Sequence, residues 1–167
     1  PKVIHIAGTN GKGSTLSMIR AGLNEIGLKT HAYTSPHLVR FHERIQLNDN
    51  FIAEKKLAEI LDECYSANKE KPITFFEITT CAAILAMSRN HADFVLLEVG
   101  LGGRLDATNV VANPELTIIT PVSLDHQQFL GNTIKKISSE KAGIIKPFCP
   151  VVIGKQDKSA FRVIIEK

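Results

Sequence analysis

At 167 residues, with 44% hydrophobic and 22% charged side chains, the chain has the size and composition of one globular domain able to bury a substantial core, which excludes a disordered or fibrous protein. The formal net charge of +3 is scattered rather than gathered into a stripe, so no nucleic-acid partner is expected, and the apolar stretches are too short and interrupted to span a membrane. Cys64, Cys81 and Cys149 are odd in number and lack C-x-x-C spacing, and Pro1-Lys2-Val3 leads straight into strand-like sequence with no secretory signal, so a reducing, cytoplasmic setting is expected.

In chain order, Val3–Ile6 reads as a short apolar strand, followed by a glycine-rich turn and a helix from Ser14 to Ile26 that Gly27 closes. Lys29–Thr34 reads as a second strand, and a polar, proline-containing loop runs from Ser35 towards Asn50. Ala53–Asn68 is an amphipathic helix, and Thr74–Asn90 is a helix apolar enough all round to lie centrally. Phe94–Val99 and Leu116–Thr120 are buried strands. Thr133–Ile145 is a helix with Asn132 as N-cap, Val151–Ile153 is a strand, and Phe161–Lys167 begins another helix. Strands alternating with helices predict an α/β fold, with a parallel sheet flanked by helices on both faces.

The strongest chemical signal is Gly8-Thr9-Asn10-Gly11-Lys12-Gly13-Ser14-Thr15, between the first strand and the first helix. Glycines admit phosphate oxygens to backbone N–H groups, and the helix N-terminus favours negative charge. Lys12 can reach the terminal phosphates, and the Ser14 hydroxyl is placed to help hold Mg²⁺. The general Walker spacing is not met, because its first glycine falls on Ile6; a shorter G-x-x-G-K-G-S form stands instead.

That form resembles the phosphate loop of the Mur ligase superfamily, which joins amino acids to carboxylates at the expense of ATP. Three further stretches are similar to its folate branch, the folylpolyglutamate and dihydrofolate synthases. They are Thr34-Ser35-Pro36-His37-Leu38 with Glu43-Arg44-Ile45, Leu97-Glu98-Val99-Gly100-Leu101-Gly102-Gly103-Arg104-Leu105-Asp106-Ala107-Thr108-Asn109, and Leu124-Asp125-His126 followed by Glu140-Lys141-Ala142-Gly143-Ile144. The resemblance implies ATP and two Mg²⁺ ions as cofactors, with folate or dihydropteroate and glutamate as small-molecule substrates. It further implies that the chain is one ATP-binding domain of the Mur central type, incomplete, lacking the leading segment and the C-terminal glutamate-binding domain of longer members, and inactive in ligation by itself.

The resemblance also assigns residues. Ser14, Ser35 and Glu98 are implied as Mg²⁺ ligands, with Glu98 ending an apolar strand opposite the phosphate loop. His126 is implied at a second Mg²⁺; imidazole is unusual for so hard a cation, and the residue types alone favour Asp125. Lys141 is implied to be carbamylated by CO₂, which converts an ammonium into an oxygen ligand. Lys12, His126 and Lys141 are thus the candidate catalytic residues. Arg104 and Asp106 lie in a glycine-rich loop after a strand, a usual place for substrate contacts in open α/β sheets. His37 contacts substrate or shapes its loop; Phe76, with Phe75, stacks on a pterin or packs the core, and Glu77 shares that choice. A kinase or GTPase fits poorly, because this strand ends in Glu98 rather than Asp and Asn68-Lys69-Glu70-Lys71 lacks the Asp of a guanine motif. A peptidoglycan-type Mur ligase and a catalytically idle nucleotide-binding module are the remaining alternatives.

Overall fold

The computed structural model describes all residues from Pro1 to Lys167. Its elements in chain order are β1 (Lys2–Ala7), α1 (Lys12–Glu25), β2 (Thr30–Tyr33), a 3₁₀ turn (Phe41–Arg44), β3 (Ile45–Leu47), β4 (Asn50–Phe51), α2 (Glu54–Asn68), α3 (Phe75–Ser88), β5 (Phe94–Glu98), β6 (Leu116–Ile119), α4 (Gln127–Leu130), α5 (Ile134–Ala142), β7 (Val151–Ile153) and α6 (Lys158–Ile165). They form one seven-stranded sheet in the order β4-β3-β2-β5-β1-β6-β7. The pairs β2–β5, β5–β1, β1–β6 and β6–β7 are parallel, as the alternation of strands and helices predicts.

The edge departs from that expectation. The stretch expected to be loop down to Asn50 contains β3, which adds antiparallel to β2, and leads into β4, which adds antiparallel to β3. The strands are too short for a period-two pattern to register, and Asn48 turns the chain at φ 55°, which asparagine tolerates. Two smaller corrections concern the C-terminal half. The N-cap of α5 is Thr133, whose hydroxyl accepts the Lys136 N–H, rather than Asn132. The one-turn helix α4 sits in what read as a connection.

Strand parity divides the core. Ile4, Ile6, Ala32, Leu96 and Ile118 point to one face and pack around Leu16 of α1. Tyr33, Val95 and Leu97 point to the other, under Leu57 and Ile60 of α2 and the alanines of α3. Beside them, Ala7 and Ile119 meet Ile137 and Ala142 of α5 and Ala160 and Ile164 of α6. Leu96 is fully buried at the centre, so truncation to Ala costs about 2–5 kcal/mol.

Helix ends are set locally. Gly27, at φ 83°, lets the Gly27 and Leu28 N–H groups return to the Asn24 and Leu23 carbonyls and close α1. A reciprocal Thr74–Glu77 capping box starts α3, an arrangement worth about 1 kcal/mol. Because the central strands are parallel, the loops after Ala7, Tyr33, Glu98 and Ile119 all emerge at one edge of the sheet, around the point where β1 passes between β5 and β6. That edge is where open α/β sheets bind ligands.

Candidate active site

The glycine-rich loop expected to hold phosphate bridges β1 and α1. A Cβ on Gly8 would come within 1.9 Å of Thr120 Oγ1, so only glycine lets the loop cross so close to the strand beside it. The Thr9 and Asn10 N–H groups both donate to the Pro121 carbonyl, and Thr9 Oγ1 exchanges hydrogen bonds with Ser123. These two residues therefore anchor the loop through their amides. The first turn of α1, after Gly11 at φ 83°, carries no acidic residue of its own. Lys12 Nζ lies on the Gly8 and Thr9 carbonyls at 3.1 and 3.3 Å. Thr9 to Ser14 line a cleft of about 580 Å³ with Arg20, Ser35, His37 and Glu98; Gly8 and Thr15 do not reach it.

Glu98 shares the parity of Leu96, so it faces α1 and the phosphate loop. It is 4% exposed, and its Oε2 accepts the Ser35 N–H at 3.2 Å. A Cβ on Gly13 would lie 3.7 Å from the same oxygen, so the carboxyl looks directly onto the first turn of α1. Burial raises its pKa, against the pull of Ser35 and Lys12. A buried carboxylate with one hydrogen bond, flanked by the serines at 14 and 35 on the wall of the same cleft, is a set of hard oxygen donors that fits Mg²⁺.

A second cleft, about 840 Å³, opens on the other side of Lys12 and is lined by Arg44, Phe76, Gly100–Gly103, Leu105–Ala107, Asp125, His126, Phe129 and Glu140 among others. Phe76 stacks at 6.1 Å on Tyr33, and a Cβ on Gly100 would strike its ring at 2.4 Å. The glycine thus lets the tip of the ring come up against the loop, and Phe76 also lines the cleft.

Asp106 lines this cleft, but both its oxygens are engaged: Oδ2 accepts Leu101 N–H, and Oδ1 accepts the N–H and hydroxyl of Thr108. Thr108 in turn meets His5 Nε2 at 2.9 Å inside the sheet. The expectation that Arg104 meets substrate is not matched by its position. Its guanidinium turns to Glu140 at 3.1 Å, and it lines neither cleft. His37 faces the first cleft, with Nδ1 accepting from Arg44 Nε.

His126 is half exposed beside Asp125, 3.5 Å from its carboxylate. Lys141 is 4% exposed, and its Nζ donates to the Gly8 carbonyl at 2.9 Å from beneath the loop. Burial first, and Lys12 second, bring its ammonium down to about 8. A protonated amine has no lone pair for a metal, so His126 and unmodified Lys141 do not make a second Mg²⁺ site as they stand. Sequence reasoning gave no role to His5 or Phe129, and quoted Arg44 and Thr108 only within motifs. The one local signal was a histidine inside an apolar strand.

Residues 6–167 match the Mur ligase middle domain. The chain belongs to the Mur ligase family. Among its relatives, the dihydrofolate synthase/folylpolyglutamate synthase of Haemophilus influenzae is 42% identical over 161 residues, covering 92% of this chain and 35% of that protein. The Bacillus subtilis enzyme of the same name is also 42% identical, covering 98% and 39%. E. coli FolC in complex with DHPP and ADP superposes with a TM-score of 0.92 at 37% identity, over all of this chain and 41% of that one. An FPGS–AMPPCP–folate complex gives 0.91 at 37%, over 99% and 42%. This Mur ligase middle domain therefore spans about two-fifths of the length of the relatives it matches, and its sheet, phosphate loop and glycine-rich loop lie within that shared part. No helix is long and apolar enough to cross a membrane.

Proposed function

We propose that residues 1–167 form a single ATP-binding unit of an amide ligase that adds glutamate to folates, to dihydropteroate, or to both, in the cytoplasm. The observation that carries this reading is the junction of the two clefts. Thr9, Lys12, Ser35 and Pro36 belong to both walls, so a γ-phosphate on the phosphate loop and a carboxylate in the second cleft would meet over Lys12. The relatives named above, and the ADP, AMPPCP, DHPP and folate in their complexes, support it.

The chemistry follows from that meeting. A carboxylate oxygen attacks the γ-phosphorus, the bond to the β-phosphate oxygen breaks, and ADP leaves an acyl phosphate. The free amine of glutamate then attacks the acyl carbon, loses a proton, and expels phosphate. Lys12 neutralises charge on the moving phosphoryl group, the N–H groups of Gly11 and of Lys12 to Ser14 at the start of α1 hold its oxygens, and phosphoryl transfer asks for little more than such positioning. Ser14, Ser35 and Glu98 would hold a Mg²⁺ that supplies charge neutralisation when bound.

Lys141 is proposed as a carbamate. Roughly a tenth of an amine titrating near 8 is free base at pH 7, and that form attacks CO₂ and loses a proton to give a carboxylate-like group. In this form, with His126, it would serve a second Mg²⁺. Phe76 is the proposed face for a pterin ring, and His37 a contact on the phosphate side.

The test is calorimetric titration with AMPPCP and Mg²⁺. Lys12→Ala should weaken binding at least tenfold, about 1.4 kcal/mol, with the circular dichroism spectrum unchanged. Equal affinity in the variant would remove this turn from the nucleotide site.

A further inference from the structure

Arg44 is the one cation on the second cleft with neither an acidic partner nor a phosphate to serve. Lys12 faces the phosphate loop, and His126 lies against Asp125. Elsewhere Arg40, Arg89 and Arg104 pair with Glu54, Glu63 and Glu140. Arg44 makes a single side-chain hydrogen bond, from Nε to His37 Nδ1 at 3.0 Å, and its guanidinium carbon lies 5.0 Å from the centre of the Phe41 ring. Those two contacts fix the plane of the group and leave both terminal nitrogens unspent.

The acids that could quench it are committed. Glu43 accepts the Leu38, Val39 and Arg40 N–H groups, which hold its carboxyl below the usual range. Glu77 is taken by the N–H and hydroxyl of Thr74, and Asp106 by Leu101 and Thr108. The same cleft offers an apolar and aromatic wall of Phe76, Leu101, Leu105 and Phe129. A cleft of that kind suits a flat aromatic ligand with an anionic end.

We propose that Arg44 anchors the carboxylate of the acceptor, through its two terminal nitrogens, and so selects acceptors that end in a carboxylate. The proposal rests on the ligase reading above and adds the residue that recognises the acceptor's charge. A planar guanidinium matches a carboxylate with two parallel hydrogen bonds, which an ammonium cannot reproduce. Arg44 lines the second cleft and not the first, which assigns it to the acceptor rather than to the nucleotide.

The experiment compares pteroate with its carboxamide, pteroamide, by equilibrium fluorescence titration in the presence of AMPPCP. The protein is expected to bind pteroate at least tenfold more tightly than pteroamide. Arg44→Gln should shrink that ratio below threefold while AMPPCP affinity stays unchanged, which also shows that the variant is folded. Arg44→Lys should retain an intermediate ratio. A full ratio in Arg44→Gln overturns the anchor, as does a loss of AMPPCP binding in both variants, which would mark Arg44 as scaffold. Equal binding of the two pterins by the unaltered protein overturns the anchor and leaves the ligase reading standing. Binding of neither removes the acceptor site, and the anchor with it.

Discussion

His5 links β1 to the loop after β5 through the Thr108 hydroxyl. It stands three residues before Gly8, on the face opposite α1, and is fully buried. The Thr108 hydroxyl donates to Asp106, so it must accept from His5, and Nε2 carries the imidazole proton. Nδ1 has no partner. Burial, with Lys146 adding to it, lowers the imidazolium from 6.5 to about 4. Between those values the unfolded chain binds the proton and the folded chain does not, so stability is complete above about pH 6.5 and falls as pH drops towards 4. The loss over that window is roughly 3 kcal/mol. His5→Gln keeps an N–H donor for Thr108 and does not titrate. Urea midpoints from pH 4 to 7 should therefore slope less in His5→Gln than in the unaltered protein; parallel slopes would place the titration elsewhere. Lys141 makes a separate demand. If it acts as a carbamate, Lys141→Ala in the full-length enzyme should lose most acceptor-dependent ATP turnover, and added acetate should restore part of it. Full turnover in the alanine variant would end the metal role.

At the scale of elements, the loop after β5 and the end of α5 are locked by backbone contact. Arg104 N–H donates to the Glu140 carbonyl at 2.8 Å, and Asn109 bridges the Arg104 and Gly143 carbonyls. A Cβ on Gly103 would meet the Glu140 and Lys141 carbonyls at 2.8 and 2.9 Å, and one on Gly143 would meet Arg104 Cβ at 2.3 Å. Gly143 has an ordinary helical φ of −63°, so Gly143→Ala carries only a steric penalty, expected at about 1–3 kcal/mol. It should also lower activity, since Lys141 is two residues away. Gly22→Ala in α1 is the contrast: nothing lies within 4 Å, and the change should stabilise by about 0.5–1 kcal/mol. Thermal melts of the two variants should move in opposite directions. This interlock was not legible in the sequence. Arg104 stood in a glycine-rich loop where substrate contacts are usual, and nothing local marks Glu140, thirty-six residues on, as its partner. The β3–β4 hairpin escaped for a similar reason: Ile45 to Phe51 is polar and brief, and is held by pairing with β2 rather than by its own propensity.

Across the whole molecule, what could be read in advance was whatever depends on neighbours in sequence. Glycines around Lys12 announce a phosphate loop, and the apolar run from Phe94 to Val99 announces the buried strand that carries Glu98. The second cleft draws on residues from Thr9 to Glu140, and only the parallel order of β2, β5, β1 and β6 brings them to one edge. The proposed nucleotide site therefore stitches β1, α1, β5 and the Ser35 loop together, and occupying it should stabilise the fold as a unit. A ligand at a hundred times its dissociation constant adds about 2.7 kcal/mol, which for a chain of this size is a rise of roughly 5–10 °C in Tm. If Ser14, Ser35 and Glu98 hold a cation against the phosphates, AMPPCP with Mg²⁺ should produce that rise and AMPPCP with EDTA only a small part of it. Glu98→Gln removes the charge but keeps the shape, and since burial already disfavours the ionised carboxyl, the variant without ligand should melt no lower than the unaltered protein. Its AMPPCP-dependent rise should be small with or without Mg²⁺. A rise indifferent to EDTA and preserved in Glu98→Gln would mean that the nucleotide is held by the loop amides and Lys12 alone, and that the buried carboxyl is a structural feature of β5.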